Sequence, residues 1–186
     1  MTPLEQTLAE IVHILGSQRV SYMVIGGIAN LVWGTPRATL DIDITISIEP
    51  QRLPALIEVL SHSLQILPLD PQRFIEETSV LPLLSRSGIR IDLIIARLAY
   101  EQSAIKRSRQ QVMAGTAVQV CTPEDLIIHK IVSERPKDRE DIIGIIKQQT
   151  TRLDRQYLEV SVKTLADGLS RPNLMDWLQT QLSHTA

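Results

Sequence analysis

The sequence predicts an α/β (α+β) fold, with a mixed sheet-and-helix core over residues 1–121 and a helical region over 122–186 packed on it. Three observations carry that prediction. Two runs, Asp41–Ile48 and Ile89–Ile95, alternate apolar and polar residues as half-buried strands do. Ser21–Ile25 is a short apolar run that ends in Gly26-Gly27 and is followed by a helical pattern. After Cys121 the strand signals cease and only helical periodicity remains.

Taken in order, Leu4, Leu8, Ile11, Val12 and Leu15 fall at helical spacing, and Gly16 marks the expected stop. The strand over 21–25 leads through the glycine pair into a brief helix carrying Ile28, Ala29, Leu31, Val32 and Trp33, closed by Gly34. In the next strand Ile42, Ile44, Ile46 and Ile48 share one face, with Asp41, Asp43, Thr45 and Ser47 on the other. Pro50 opens a helix to about Ser63 with Leu53, Leu56, Ile57 and Leu60 inward, while residues 64–80 carry no clear pattern. Leu81–Ser85 is the expected hairpin partner of 89–95 across Ser87-Gly88. A helix from about Leu98 to Arg109 and a strand over Ala117–Cys121 follow.

Thr122-Pro123-Glu124-Asp125 reads as a helix start, with Thr122 as N-cap and Pro123 at the first helical position. That helix is expected to reach about Glu134, where Pro136 intervenes, and 137–147 forms another with Ile142, Ile145 and Ile146 inward. Helices near 154–169 and 172–182 complete the chain. No flexible linker separates the two halves, so one compact unit is expected.

The 186 residues, 44% hydrophobic and 22% charged, suffice for one core with a small appendage and exclude a multidomain machine. A formal charge of -2 argues against a protein that coats nucleic acid through a uniformly positive surface. Aromatics at 3% are too few for a base-stacking platform, so any RNA is expected as the substrate of an enzyme. The single Cys121 excludes an internal disulfide or a cysteine-built zinc site. No apolar run approaches the roughly 20 residues of a membrane span, and Met1–Glu10 lacks a signal-peptide layout. A cytoplasmic chain with no membrane association is the expectation.

Asp41 and Asp43, two apart on a strand, place two carboxylates on one face. Like charges held so close are unfavourable unless a cation sits between them or one takes up a proton, and hard divalent ions such as Mg²⁺ or Mn²⁺ are the usual solution. Asp92 lies on a later strand with the same polarity, and if that strand neighbours the first, three acids converge. Such a set around two metals suits in-line displacement at phosphorus, one ion activating a hydroxyl and the other steadying the leaving oxygen. Gly26-Gly27, at a strand-to-helix turn, lets backbone approach a ligand and offers helix-start amides to phosphate oxygens.

Gly26-Gly27, thirteen intervening residues, Asp41-Ile42-Asp43 and the later Asp92 resemble the signature of the nucleotidyltransferase superfamily related to DNA polymerase beta. The segment Arg37–Asp43, with Lys130, Arg135-Pro136-Lys137-Asp138 and Asp141-Ile142 downstream, is similar more narrowly to the AbiEii branch, which includes toxins of type IV toxin–antitoxin systems. The chain is shorter than long members of that branch.

The resemblance implies a metal-dependent transfer of a nucleoside monophosphate from an NTP to a hydroxyl, with pyrophosphate released. Asp41 and Asp43 would hold the metals, and Asp92 would complete the second metal site and help deprotonate the nucleophile. Gly26 and Gly27 would cradle the triphosphate, with Arg37 and Thr39 facing the phosphates. Lys130 would contact the nucleotide, and Asp138 or Asp141, three apart on the next helix, would orient Lys130 or a substrate hydroxyl. The acceptor it implies is RNA, such as a tRNA end, ahead of a protein or small molecule, with an antitoxin protein as a further partner.

Plainer readings stand beside these. The acids can be the exposed face of a sheet meeting a basic partner, Lys130 with Asp138 and Asp141 an inter-helix salt bridge, and Arg37 a solvated loop residue. A non-catalytic nucleotide-binding module would be marked by loss of one aspartate, and all three are present. His13, His62, His129 and His184 show no ligand spacing, and the sequence pattern pairs no base with Cys121. The basic clusters Lys106, Arg107, Arg109 and Arg135, Lys137, Arg139 read as solvated faces on which an RNA would rest.

Overall fold

The computed structural model describes residues 1–133 and 135–184. It is a mixed α/β structure in two compact units, one formed by residues 1–28 and 38–121 and the other by 29–37 and 122–186.

In the first unit, helix α1 (Pro3–Ser17) begins with a capping box in which the Thr2 hydroxyl accepts from Glu5 N–H and Glu5 reaches back to Thr2. Its expected stop at Gly16 is displaced to Arg19. The Arg19 amide bonds the Gly16 carbonyl and that of Val20 bonds Leu15, closing a Schellman turn in which Arg19 takes the left-handed conformation (φ 52°). Strand β1 (Ser21–Val24) then pairs antiparallel with β2 (Asp41–Ser47).

Pro50–Arg52 forms a 3-10 turn before α3 (Leu53–Ser61), whose buried side chains are Leu56 and Leu60. The stretch 64–80 resolves into β3 (Gln65–Ile66) and α4 (Pro71–Thr78), the latter capped by Asp70 and ended by left-handed Ser79. Only Ile75 of α4 is buried, which explains the weak periodicity. Strands β4 (Val80–Leu84) and β5 (Arg90–Ile95) form the expected hairpin, and β5 pairs parallel with β2.

Helix α5 (Ala99–Arg107) ends before the expected Arg109, because Ser108 turns extended and Arg109 opens a strand, β6 (Arg109–Met113). The polar run Arg109-Gln110-Gln111 conceals this strand in the sequence. It forms a hairpin with β7 (Thr116–Val120) through Ala114 and Gly115, both at positive φ, as a tight primed turn requires. The seven strands run β3-β4-β5-β2-β1-β7-β6, so the two alternating strands of the sequence lie side by side in the middle. Ile42, Ile44, Ile46, Ile91 and Leu93 are wholly buried.

In the second unit, α6 (Pro123–Ile131) is capped by the Thr122 hydroxyl, which accepts from Asp125 N–H. The expected end at Glu134 lies outside the described residues. Helices α7 (Pro136–Gln149), α8 (Arg155–Gly168) and α9 (Asn173–Ser183) follow, around a core of Leu126, Ile127, Ile142, Ile145, Leu158 and Leu178. Segment 29–37 packs against α7: Gly144 lies so close to Thr35 that a Cβ there would come within 3.1 Å of the Thr35 amide. Helix α2 (Gly26–Trp33) starts in the first unit and ends in the second. Among the described residues no helix is long and apolar enough to cross a membrane.

Candidate active site

The parallel pairing of β2 with β5 aligns Asp43 with Asp92 and Asp41 with Arg90. Residues two apart on a strand share a face, so Asp41, Asp43, Arg90 and Asp92 form a two-by-two array on one face of the sheet. Three of its corners are carboxylates and the fourth is a guanidinium. Asp41 is exposed, while Asp43 and Asp92 are half-buried.

Each carboxylate has its own neighbour. The Thr39 hydroxyl donates to Asp41 Oδ1 at 2.9 Å. Asp43 lies beneath the glycine turn: Gly26 has φ +64°, and a Cβ built on it would overlap the Asp43 carboxylate. A Cβ on Gly27 would likewise overlap the Thr39 hydroxyl. Both glycines are therefore required by close approach, at Gly26 also by the positive φ. Asp92 Oδ1 accepts from Arg90 Nε at 3.0 Å. As the side chains stand, no three His, Cys, Asp or Glu among the described residues are gathered tightly enough to hold a metal ion. The donor chemistry nonetheless suits a hard divalent cation: Asp41, Asp43, Asp92 and the neighbouring Thr39 hydroxyl all present oxygen.

Arg37, Lys130, Asp138 and Asp141 lie in the second unit, joined in one buried network. Lys130 Nζ lies 2.9 Å from Asp138 Oδ1 and 2.7 Å from Asp141 Oδ2. Asp138 Oδ2 also accepts from Ser133 Oγ and Arg135 Nε, each at 2.7 Å. Asp141 takes a bidentate clamp from Arg37, whose Nε and Nη2 each donate at 2.8 Å. Burial pushes the Asp138 carboxyl up, but hydrogen bonds from Lys130, Ser133 and Arg135 and the Lys130 charge outweigh it and hold it at about 2. Burial raises Asp141 too, and the bonds and charges of Arg37 and Lys130 bring it below the usual carboxylate range. Arg37, expected toward the phosphates, is thus engaged with Asp141.

Arg90, Ser133 and Arg135 are the neighbours that the sequence reading did not assign to the site. Arg90 was legible as the residue two before Asp92, but its place opposite Asp41 depends on a parallel pairing that sequence alone does not give.

The family described as a nucleotidyltransferase of unknown function, DUF6036, matches residues 3–167. The chain belongs to this nucleotidyltransferase family. The fold agrees with known nucleotidyltransferase structures. An antigenic nucleotidyltransferase-like protein from Paracoccidioides brasiliensis is similar at 18% identity, covering 97% of this chain and 92% of that one, with a TM-score of 0.57. The antibiotic-resistance factor ANT(2'')-Ia is similar at 19% identity over 91% of this chain and 95% of its own, with a TM-score of 0.60. The lincosamide antibiotic adenylyltransferase LnuA is similar at 16% identity over 78% of this chain and 96% of its own, with a TM-score of 0.52. Among curated proteins none matches the sequence.

Proposed function

We propose that the protein transfers a nucleoside monophosphate from an NTP to a hydroxyl of an RNA end, such as a tRNA terminus, and releases pyrophosphate. The observation that carries this reading is the register of β2 on β5, which pairs Asp43 with Asp92 and sets Asp41 on the same face, beside the glycine turn.

In this reading the first amides of α2, beginning at Gly26-Gly27, receive the triphosphate, since helix-start N–H groups lack partners within the helix. Asp41 and Asp43 would hold divalent cations, Mg²⁺ or Mn²⁺, with Asp92 completing the set. When bound, such ions neutralise the phosphate charge and lower the pKa of the attacking hydroxyl. Asp92 takes the acceptor's proton, the acceptor oxygen bonds to the α-phosphorus, and the bond from that phosphorus to the β-phosphate's bridging oxygen breaks. Thr39 keeps Asp41 oriented through its hydrogen bond. The protein's contribution is positioning and charge placement rather than covalent chemistry.

The RNA acceptor, and with it a toxin role restrained by an antitoxin, rests on the AbiEii-type resemblance of Arg37–Asp43 and of Lys130 with the Arg135–Asp141 segment. The buried network supports a positioning role for those downstream residues, with Lys130 acting through the carboxylates it holds.

The test incubates purified protein with Mg²⁺, each α-labelled NTP in turn and total cellular RNA, with Asp43→Ala alongside. Label in RNA with the intact site alone supports the reading and names the donor. Absence of labelled RNA, with NTP stabilising the protein only when Mg²⁺ is present, retains the transferase and overturns the RNA acceptor, directing the search to small-molecule and protein hydroxyls. Insensitivity to both Mg²⁺ and NTP overturns the enzyme and leaves an acidic interaction surface.

A further inference from the structure

The fourth corner of the array is not a carboxylate. Arg90 stands opposite Asp41 in the strand register and two residues before Asp92, so its guanidinium shares the face that carries all three acids. It donates from Nε to Asp92 Oδ1 at 3.0 Å. The pair is open to solvent, with the Arg90 side chain 57% and the Asp92 side chain 25% exposed. Exposed ion pairs add little to folding stability, so holding the fold together is a poor account of this one. Its electrostatic setting is more telling: three like charges on one face, with the Arg90 guanidinium lying among them.

We propose that Arg90 is a positioning residue that acts as an internal counter-ion, occupying Asp92 before a divalent cation arrives and setting how readily that cation binds. This rests on the site reading above. Two effects of Arg90 oppose the incoming ion. Its positive charge repels a second cation on the same face. Its hydrogen bond engages Oδ1 of Asp92, one of the oxygens an incoming cation would need. Release of Asp92 by Arg90 frees that oxygen for a cation shared with the other two carboxylates. Its long, half-exposed side chain can swing into solvent at small cost. The array is thus neutralised in part when empty, which relieves repulsion between Asp43 and Asp92 without a bound ion.

The experiment measures Mn²⁺ binding to the full chain by electron paramagnetic resonance, without nucleotide, so that the readout is independent of turnover. Arg90→Gln removes the competing charge and is expected to bind Mn²⁺ roughly two- to fivefold more tightly at low ionic strength, with the gain shrinking as salt rises. Arg90→Lys, which keeps the charge, is expected to stay near wild type. Equal or weaker Mn²⁺ binding by Arg90→Gln overturns the proposal, as does an identical gain in Arg90→Lys, which would trace the effect to lost geometry instead of charge. Asp43→Ala separates the two levels. If wild type binds Mn²⁺ and Asp43→Ala does not, a null result at Arg90 refutes only its counter-ion role. If both bind alike, the carboxylate site itself is wrong and this inference falls with it.

Discussion

Lys130 Nζ spans two carboxylates three residues apart on α7, 2.9 Å from Asp138 Oδ1 and 2.7 Å from Asp141 Oδ2. All three side chains are at most 8% exposed. Two acids at that spacing on one helix turn would repel each other in the interior, and the ammonium lets both stay ionised. Removing it without replacing the acids leaves two buried carboxylates to Arg37, Arg135 and the neutral Ser133 hydroxyl. Lys130→Met is expected to destabilise the protein by about 3 kcal/mol, lowering its melting temperature by about 6–12 °C. Urea unfolding monitored by circular dichroism checks this, and a change under about 0.5 kcal/mol would show that the lysine does not support the fold.

The same network makes the second unit sensitive to acid. The Asp138 carboxyl is held at about 2, below its ordinary 3.8, and Asp141 is also lowered. A carboxyl whose folded pKa is depressed contributes its stability above the unfolded value, and that contribution is lost as pH falls toward the folded one. The loss should therefore fall between about pH 4 and pH 2. Asp138→Asn keeps the shape but not the charge, so it should melt lower than wild type at pH 7, with the gap narrowing across that window. A gap constant from pH 7 to pH 2 would refute the assignment.

How much of this was legible beforehand depended on whether the signal was local. Ile42, Ile44 and Ile46 alternate with Asp41, Asp43 and Thr45, and their complete burial follows from strand period alone. Thr122-Pro123 marked the start of α6 because capping involves neighbours in sequence. Strand β6 was hidden because an edge strand has little to bury: Arg109, Gln110 and Val112 are exposed, so no alternation is imposed on it. Helix α1 runs past Gly16 to Ser17 and closes through a Schellman turn with Arg19 left-handed, although Gly16 was the residue better suited to that conformation. In the site, the face shared by Asp41 and Asp43 was readable, whereas Arg90 opposite Asp41 and Arg37 clamped on Asp141 depend on pairings across the fold.

Gly26 offers a test of the turn. A methyl group there would meet the Asp43 carboxylate and would also oppose the positive φ, a conformation costing roughly 1–2 kcal/mol for a side-chain-bearing residue. Gly26→Ala should therefore lose stability on that scale and, in addition, move Asp43 out of line. Nucleotidyl transfer should fall by about a hundredfold or more, beyond what the small loss of stability explains at assay temperature. Transfer that survives in a variant with the expected melting shift would mean that the carboxylate can move aside and its position under the turn is not required.

Asp43→Ala separates chemistry from folding in the opposite sense. Asp43 is only half-buried and faces Asp92 directly across the strands, so deleting it relieves repulsion between like charges. The fold should persist, with stability unchanged or raised by less than about 1 kcal/mol. Transfer should drop by about a thousandfold or more, because a lost metal ligand removes several kcal/mol of charge stabilisation at phosphorus. The measurement pairs thermal unfolding with turnover on one preparation. Retained turnover sinks the assignment of Asp43 as a metal ligand. A collapse of stability would instead show that the carboxylate holds the glycine turn in place, making its role architectural.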